Sequence, residues 1–81
     1  MQQSEIINKI NDFLIEEFEL EPERVIPEAT FKEDLGIDSL DFVDIAVIIE
    51  KNFGFKVKGE DMAGVKTLQD FYDFVMKLSG I

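Results

Sequence analysis

The chain has 81 residues, enough for one domain, and 46% of them are hydrophobic, so a small core can form. It contains no Cys and no His, which excludes disulfides and thiolate metal sites and removes the commonest general base. Eighteen acidic against eight basic residues give a net charge of −10. That charge argues against nucleic acid and anionic lipid as partners and favours proteins with basic patches.

Nothing at the start of the chain has the pattern of a signal peptide, because Met1 to Ser4 lack a basic region and a long apolar run. The longest apolar run, Ile45 to Ile49, is far too short to cross a bilayer. We therefore expect a cytoplasmic protein without membrane insertion, and we expect it to be a monomer.

The first predicted helix runs from about Ser4, a candidate N-cap, to Phe18. Its apolar residues recur at helical spacing: Ile6, Ile7, Ile10, Phe13, Leu14 and Phe18. A long loop follows to Asp38, because Pro22 and Pro27 interrupt any helix there and Gly36 marks a turn. Its apolar residues should pin it to the helices, with one turn of helix near residues 30–34.

The second helix is predicted from Asp38, as its cap, to Phe53, with Gly54 ending it. One turn of helix fits between residues 59 and 64. The last helix is predicted from Thr67, which forms a capping-box pattern with Asp70, to about Leu78. No segment alternates with period two, so residues 1–81 are expected to form one all-α domain, a small four-helix bundle with three longer helices and one short one.

The second helix carries apolar residues on two arcs of its surface. At 100° per residue, Phe42, Ile45, Ala46, Ile49 and Phe53 make an ordinary core face. A second arc contains Leu40, Val43 and Val47. Either the long loop covers this arc, or the arc faces partner proteins as a small apolar strip edged by charge.

The stretch from Asp34 to Leu40, with sequence DLGIDSL, resembles the attachment motif of acyl carrier proteins, whose core is Asp-Ser-Leu after a Leu-Gly-x step. The residues from Thr30 to Leu35, the spacing of the second helix and Thr67 also match, so the resemblance covers nearly the whole chain. It implies a carrier of acyl thioesters in fatty-acid, polyketide or related lipid biosynthesis, with no catalysis of its own.

The resemblance implies that 4'-phosphopantetheine from coenzyme A is attached covalently to Ser39, making the chain a phosphoprotein. Asp38 and Leu40 complete the motif, and Gly36 makes the turn that presents the hydroxyl. A phosphodiester at Ser39 would lie at a helix N-terminus, where anions are favoured. The arm ends in its own thiol, so the chain needs no Cys.

The residues around Ser39 include five acids and no base between positions 33 and 44. By resemblance, this surface docks phosphopantetheinyl transferase and acyl-transferring or chain-extending enzymes through their basic patches. The docking residues expected are Asp34, Asp41, Val43, Asp44, Val47 and Glu50. A calcium loop is not predicted, because the acids lack its alternate-residue spacing, and no other metal site is expected.

Two features depart from the family pattern. The second helix ends in Glu50-Lys51-Asn52 where many relatives have a run of glutamates, Lys56 and Lys58 follow it, and Lys58 stands where proline is frequent. We therefore expect a set of partners narrower than, or different from, that of housekeeping fatty-acid enzymes. Phe42 and Phe71 are large where relatives often have small residues, so we expect a short, aromatic or unusual cargo, or one outside the bundle. The residues expected around the cargo are Phe31, Phe42, Ile49, Val57, Val65, Leu68 and Phe71.

Three alternatives remain open from the residues. An aminoacyl or peptidyl carrier would share the fold and the arm. An unmodified interaction module would carry no arm. An enzyme would need a base to activate Ser39, and no His is present to provide it.

Overall fold

Three α-helices form the framework of the computed structural model, which describes residues 2–38 and 40–80. They are α1 (Gln3–Phe18), α2 (Phe42–Phe53) and α3 (Leu68–Ser79), with short 3-10 turns at Pro22–Arg24 and Gly59–Met62. Within these residues, strand-like pairing is limited to one isolated bridge. The all-α fold is confirmed. None of the helices in the described residues is long and apolar enough to cross a membrane.

The end of α2 and both ends of α3 follow their sequence signals. Gly54 ends α2 in the left-handed conformation, with φ of 78°, and Gly80 ends α3 in the same way. At the start of α3, the Asp70 N–H donates to Thr67 Oγ1 and the Thr67 N–H donates to Asp70 Oδ2, both at 3.2 Å. This reciprocal cap satisfies two N–H groups that a helix start leaves without intrahelical partners.

Two predicted helix starts are wrong. Gln2 precedes the first helical residue of α1 without a side-chain cap, so Ser4 already lies inside the helix. The α2 helix begins at Phe42 rather than at Asp38. The reason is local: Asp38 and Asp41 bind nearby backbone N–H groups and hold a separate turn before the helix, a competition that Asp side chains commonly win.

The core lies between α1, the buried face of α2 and α3. Val75 and Tyr72 of α3 are buried as predicted, whereas Leu78 at the end of the predicted stripe is exposed. The Tyr72 hydroxyl donates to the side-chain oxygen of Asn11 and so ties α3 to α1. Burial raises the pKa of Tyr72, an effect that the hydrogen bond to Asn11 partly offsets.

The long loop is held against the start of α3 by backbone hydrogen bonds. The Phe31 N–H donates to the Lys66 carbonyl, and the Leu68 N–H donates to the Ala29 carbonyl, at 3.0 and 2.9 Å. Most apolar loop residues are buried as expected, namely Val25, Phe31, Leu35 and Ile37, and Ala29 is buried with them, whereas Ile26 is exposed. Residues 30–34 form a single turn closed by the Asp34 N–H, which donates to the Thr30 carbonyl at 3.0 Å, as one turn of helix would. The loop also has a 3-10 turn earlier, at Pro22–Arg24.

Candidate attachment site and docking surface

A short turn surrounds sequence position 39. The Leu40 N–H donates to Asp38 Oδ1 at 2.9 Å, and the Asp38 N–H donates to Asp41 Oδ2 at 3.3 Å. The Asp41 N–H also donates to the Asp38 carbonyl at 3.1 Å. Ser39 itself lies outside the described residues. Asp38 and Asp41, the acids immediately before Ser39 and two residues after it, are therefore structural as well as charged, because their side chains accept hydrogen bonds from backbone N–H groups of this turn.

The neighbours of position 39 suit a bulky polar substituent. Asp38 and Leu40 are both exposed, so the chain on each side of Ser39 faces solvent. Gly36, two residues before Asp38, has φ of 67°, a left-handed conformation that disfavours other residues, as the predicted turn requires. An arm attached here would meet solvent first, which fits the long, mobile group that the sequence implies.

Asp34 forms hydrogen bonds within the long loop. Its Oδ2 accepts the Thr30 N–H at 2.8 Å and the Thr30 hydroxyl at 3.1 Å. These hydrogen bonds, with that of the backbone N–H first, lower the pKa of Asp34 below its ordinary value. Asp34 therefore has a structural role that the sequence did not reveal, while its docking role stays a prediction.

The second apolar arc, which begins at Leu40 in the turn before α2 and continues on the helix, is open to solvent. Leu40, Val43 and Val47 are 80%, 60% and 50% exposed, and we call these three residues the docking strip. The alternative in which the long loop covers this arc is wrong, because the arc is exposed and the loop is instead hydrogen-bonded, through Ala29 and Phe31, to the residues around the start of α3. An exposed apolar strip on a charged helix is the kind of surface that proteins use for contacts with partners.

Acidic residues from α1 join one side of the docking strip. Asp44, Val47 and Lys51 line a groove of about 490 Å³ between α1 and α2 together with Glu16 and Glu17. Neither glutamate was predicted to belong to this surface. Their positions three and four residues after the buried Phe13 place them at the edge of the α1 core face, a signal that could have found them.

Lysine borders the other side of the strip. Lys58 and Glu60 line a second groove with Phe42 and Val43, of about 430 Å³. Gly59 allows the close approach here, because a Cβ atom at this position would lie 3.3 Å from Val43 Cγ2. Glu50, another expected docking residue, is exposed on α2. The strip is thus flanked by mixed charge rather than by carboxylates alone.

The residues expected around a cargo divide into two groups. Phe31, Phe42 and Val65 line a groove of about 460 Å³ that reaches Asp38. Ile49, Leu68 and Phe71 are instead buried in the core, and Val57 is half-buried against it. Among the described residues, no group of carboxylates is arranged to hold a metal ion.

Comparison with known proteins agrees with this geometry. The family model for the phosphopantetheine attachment site matches residues 5–75. An acyl carrier protein of Thermosynechococcus vestitus is 41% identical over 75 residues, which is 93% of each chain. A meromycolate extension acyl carrier protein of Mycobacterium leprae is 42% identical over 94% of this chain and 66% of its own length. An acyl carrier protein of Rhodococcus erythropolis is 41% identical over 94% of this chain and 84% of its own.

The chain belongs to the acyl carrier protein family. Its prosthetic group is 4'-phosphopantetheine, and it is a carrier rather than an enzyme. A carrier acts by presenting its cargo to enzymes, so its surface chemistry matters as much as its interior.

Proposed function

We propose that Ser39 carries the 4'-phosphopantetheine arm and that the chain transports acyl thioesters in fatty-acid, polyketide or related biosynthesis. The observation that carries this proposal is the turn closed by Asp38 and Asp41, in which the two sequence neighbours of Ser39, Asp38 and Leu40, are exposed. It lies directly before α2, whose first N–H groups favour a nearby anion.

The modification requires no catalytic group from this chain. The Ser39 hydroxyl oxygen forms a bond to the phosphorus that bears the pantetheine in coenzyme A. The bond from that phosphorus to the rest of the diphosphate breaks, and adenosine 3',5'-bisphosphate leaves. The serine proton passes to a base on the transferase, which is consistent with the absence of His here.

The docking strip and its charged borders are the proposed contact surface for the transferase and for acyl-transferring and chain-extending enzymes. Asp41 and Asp44 offer negative charge to basic residues of a partner, while Val43 and Val47 offer apolar area. Lys51 and Lys58 would repel a uniformly basic partner, so cognate enzymes should carry an acid opposite them.

The same charges favour a monomer, and we propose that it works in the cytoplasm. A net charge of −10 opposes contact between two copies through the docking strip, which leaves the strip available to enzymes. The absence of Cys is compatible with a reducing compartment.

Intact mass tests the attachment site. After incubation with a phosphopantetheinyl transferase, coenzyme A and magnesium, the chain should gain the mass of one arm. Ser39→Ala should gain nothing, whereas Ser4→Ala and Ser79→Ala, which replace the other two serines, should be modified normally. A folded chain that stays unmodified beside a control carrier modified in the same tube would favour the interaction module.

A further inference from the structure

The groove next to the attachment turn has an apolar floor and a polar rim. Its floor contains Phe31, Ile37, Phe42 and Val65, and its volume is about 460 Å³. The rim includes Asp38, which precedes Ser39 directly in the chain. A group at the end of an arm on Ser39 that folds back toward the protein can therefore reach this groove.

Beneath the floor, aromatic rings fill the space that leads inward. Phe31 contacts Phe42 edge to face at 5.7 Å between centroids and contacts Phe71 in the same way at 5.6 Å. Phe71 in turn meets Phe13 of α1 edge to face at 6.3 Å. All four rings are buried. They form a continuous aromatic cluster from the groove to the interface of α1 and α3.

Phe31 joins the groove to this cluster and is fixed from both sides. Its N–H donates to the Lys66 carbonyl at 3.0 Å, and its carbonyl accepts the Ile37 N–H at 2.7 Å. Moving its backbone would break both bonds, one of which ties the loop to the chain before α3. Close-packed interiors resist insertion unless their side chains move, so the path inward is closed at this residue.

We propose that Phe42 and Phe71 determine cargo length, so that the chain shelters only compact acyl groups in the groove and leaves longer chains exposed. This inference rests on the proposed carrier function with the arm at Ser39. The floor offers apolar contact to a short chain or a ring, whereas a longer chain would have to displace one of the edge-to-face pairs. Phe42 acts as the inner wall of the groove, and Phe71 fills the space behind Phe31.

A series of acyl lengths tests the proposal. Acetyl, butyryl, octanoyl and palmitoyl pantetheine would be loaded from the corresponding coenzyme A thioesters, with loading verified by intact mass. A bound chain stabilises the fold, so Tm reports shelter. We expect Tm to rise from acetyl to butyryl and then to stay level through octanoyl and palmitoyl. A Tm that keeps rising with length would overturn the proposal.

Two variants test which aromatic rings limit the length of the sheltered acyl chain. Phe42→Leu and Phe71→Leu each replace one aromatic ring with a smaller aliphatic side chain. They are milder than truncation to Ala, so the fold should survive. Either should extend the rise to the octanoyl form, by about 4 °C or more over the butyryl form. Phe55→Leu is the matched control, because Phe55 is a partly buried ring outside the groove, stacked on Phe53. Its series should resemble that of the unmodified sequence.

The test separates this inference from the function on which it rests. Failure to load any acyl pantetheine would contradict the carrier function at Ser39. Normal loading followed by an equal, continuing rise of Tm with length in all four proteins would overturn the length limit alone. Chemical shifts of the Phe31 and Phe71 rings that move only in the palmitoyl form would overturn it as well.

Discussion

Two carboxylates, Asp34 and Asp70, fix the junction between the long loop and α3. Asp34 binds the Thr30 N–H and hydroxyl, and Asp70 binds the N–H groups of Thr67 and Lys66. Thr30 and Thr67 themselves form the isolated bridge. The backbone hydrogen bonds that each carboxylate accepts lower its pKa below the ordinary value of 3.8.

These pKa shifts predict acid sensitivity. Because the two carboxyls hold protons less tightly in the folded chain, the stability they contribute is present above the unfolded pKa. It is lost as pH falls through the lower folded pKa. In urea titrations between about pH 5 and about pH 2, Asp70→Asn should therefore show a weaker fall of stability than the unaltered chain.

Asp12→Asn is the control for this prediction, because it also removes one exposed carboxylate but lies on α1, away from the junction. Its pH profile should keep the steep fall. If Asp70→Asn and Asp12→Asn gave the same profile as the unaltered chain, the junction carboxylates would not be responsible for acid sensitivity.

At the scale of elements, one polar contact joins α1 to α3 inside an otherwise apolar interface. Tyr72→Phe removes the hydroxyl that donates to Asn11 but keeps the ring. We expect a loss of about 1 kcal/mol in the free energy of unfolding, the usual net worth of such a bond. For a domain of this size that is a fall of about 4–8 °C in Tm. An unchanged Tm, measured by circular dichroism, would mean that Asn11 finds an equal partner in water.

A substitution in the docking strip should change the interaction with enzymes and leave the stability of the fold nearly unchanged. Val47→Ser should lower the kcat/KM of the transferase for this carrier about tenfold, the effect of losing a modest interface contact. Its Tm should change little, because surface substitutions usually alter stability by about 0.5 kcal/mol or less. Ile26→Ser is the matched control. Ile26 is 46% exposed, close to the 50% of Val47, but lies on the long loop.

Equal transferase kinetics for Val47→Ser and Ile26→Ser would contradict the proposed docking role of the strip. Lys51→Glu tests, in the same assay, whether this lysine repels basic partners. It should improve modification by a transferase with a uniformly basic docking patch, because a repulsive charge becomes attractive.

Helical periodicity and end signals carried most of the element prediction. Gly54 and the pair Thr67 and Asp70 mark helix ends through local hydrogen bonds, so the sequence alone sufficed there. The start of α2 was missed, because Asp38 can cap either a helix or an isolated turn and the sequence does not distinguish these uses. The place of Glu16 and Glu17 in the groove between α1 and α2 depends on contacts between elements, which periodicity does not reveal. The role of Asp34 depends on its hydrogen bonds to Thr30, which periodicity does not reveal either.

At the scale of the whole molecule, net charge opposes folding. The chain measures 29 × 25 × 20 Å, and among the residues that the structure describes a single ion pair is formed, between Arg24 and Glu21 at 3.8 Å. At about 0.01 M salt the Debye length is about 30 Å, so every charge acts on every other, whereas at about 0.15 M it is about 8 Å. Self-repulsion therefore extends across the molecule only at low salt.

We expect Tm to rise by about 4–8 °C between these salt concentrations, the shift that relief of about 1 kcal/mol of repulsion would give. A variant with Glu19 and Glu23 replaced by Gln, two exposed loop acids, should melt higher at low salt and gain less from added salt. A flat response in the unaltered chain would show that repulsion is already balanced locally.

The attachment of the arm at Ser39 is the central claim, and peptide mapping tests it most directly. Cleavage after Lys32 and Lys51 releases residues 33–51, a peptide with one serine and no threonine, tyrosine or cysteine. After modification by a phosphopantetheinyl transferase, fragmentation of this peptide should place the whole arm on Ser39. An arm found on any other peptide, or a folded chain that carries none while a control carrier is modified, would contradict the claim.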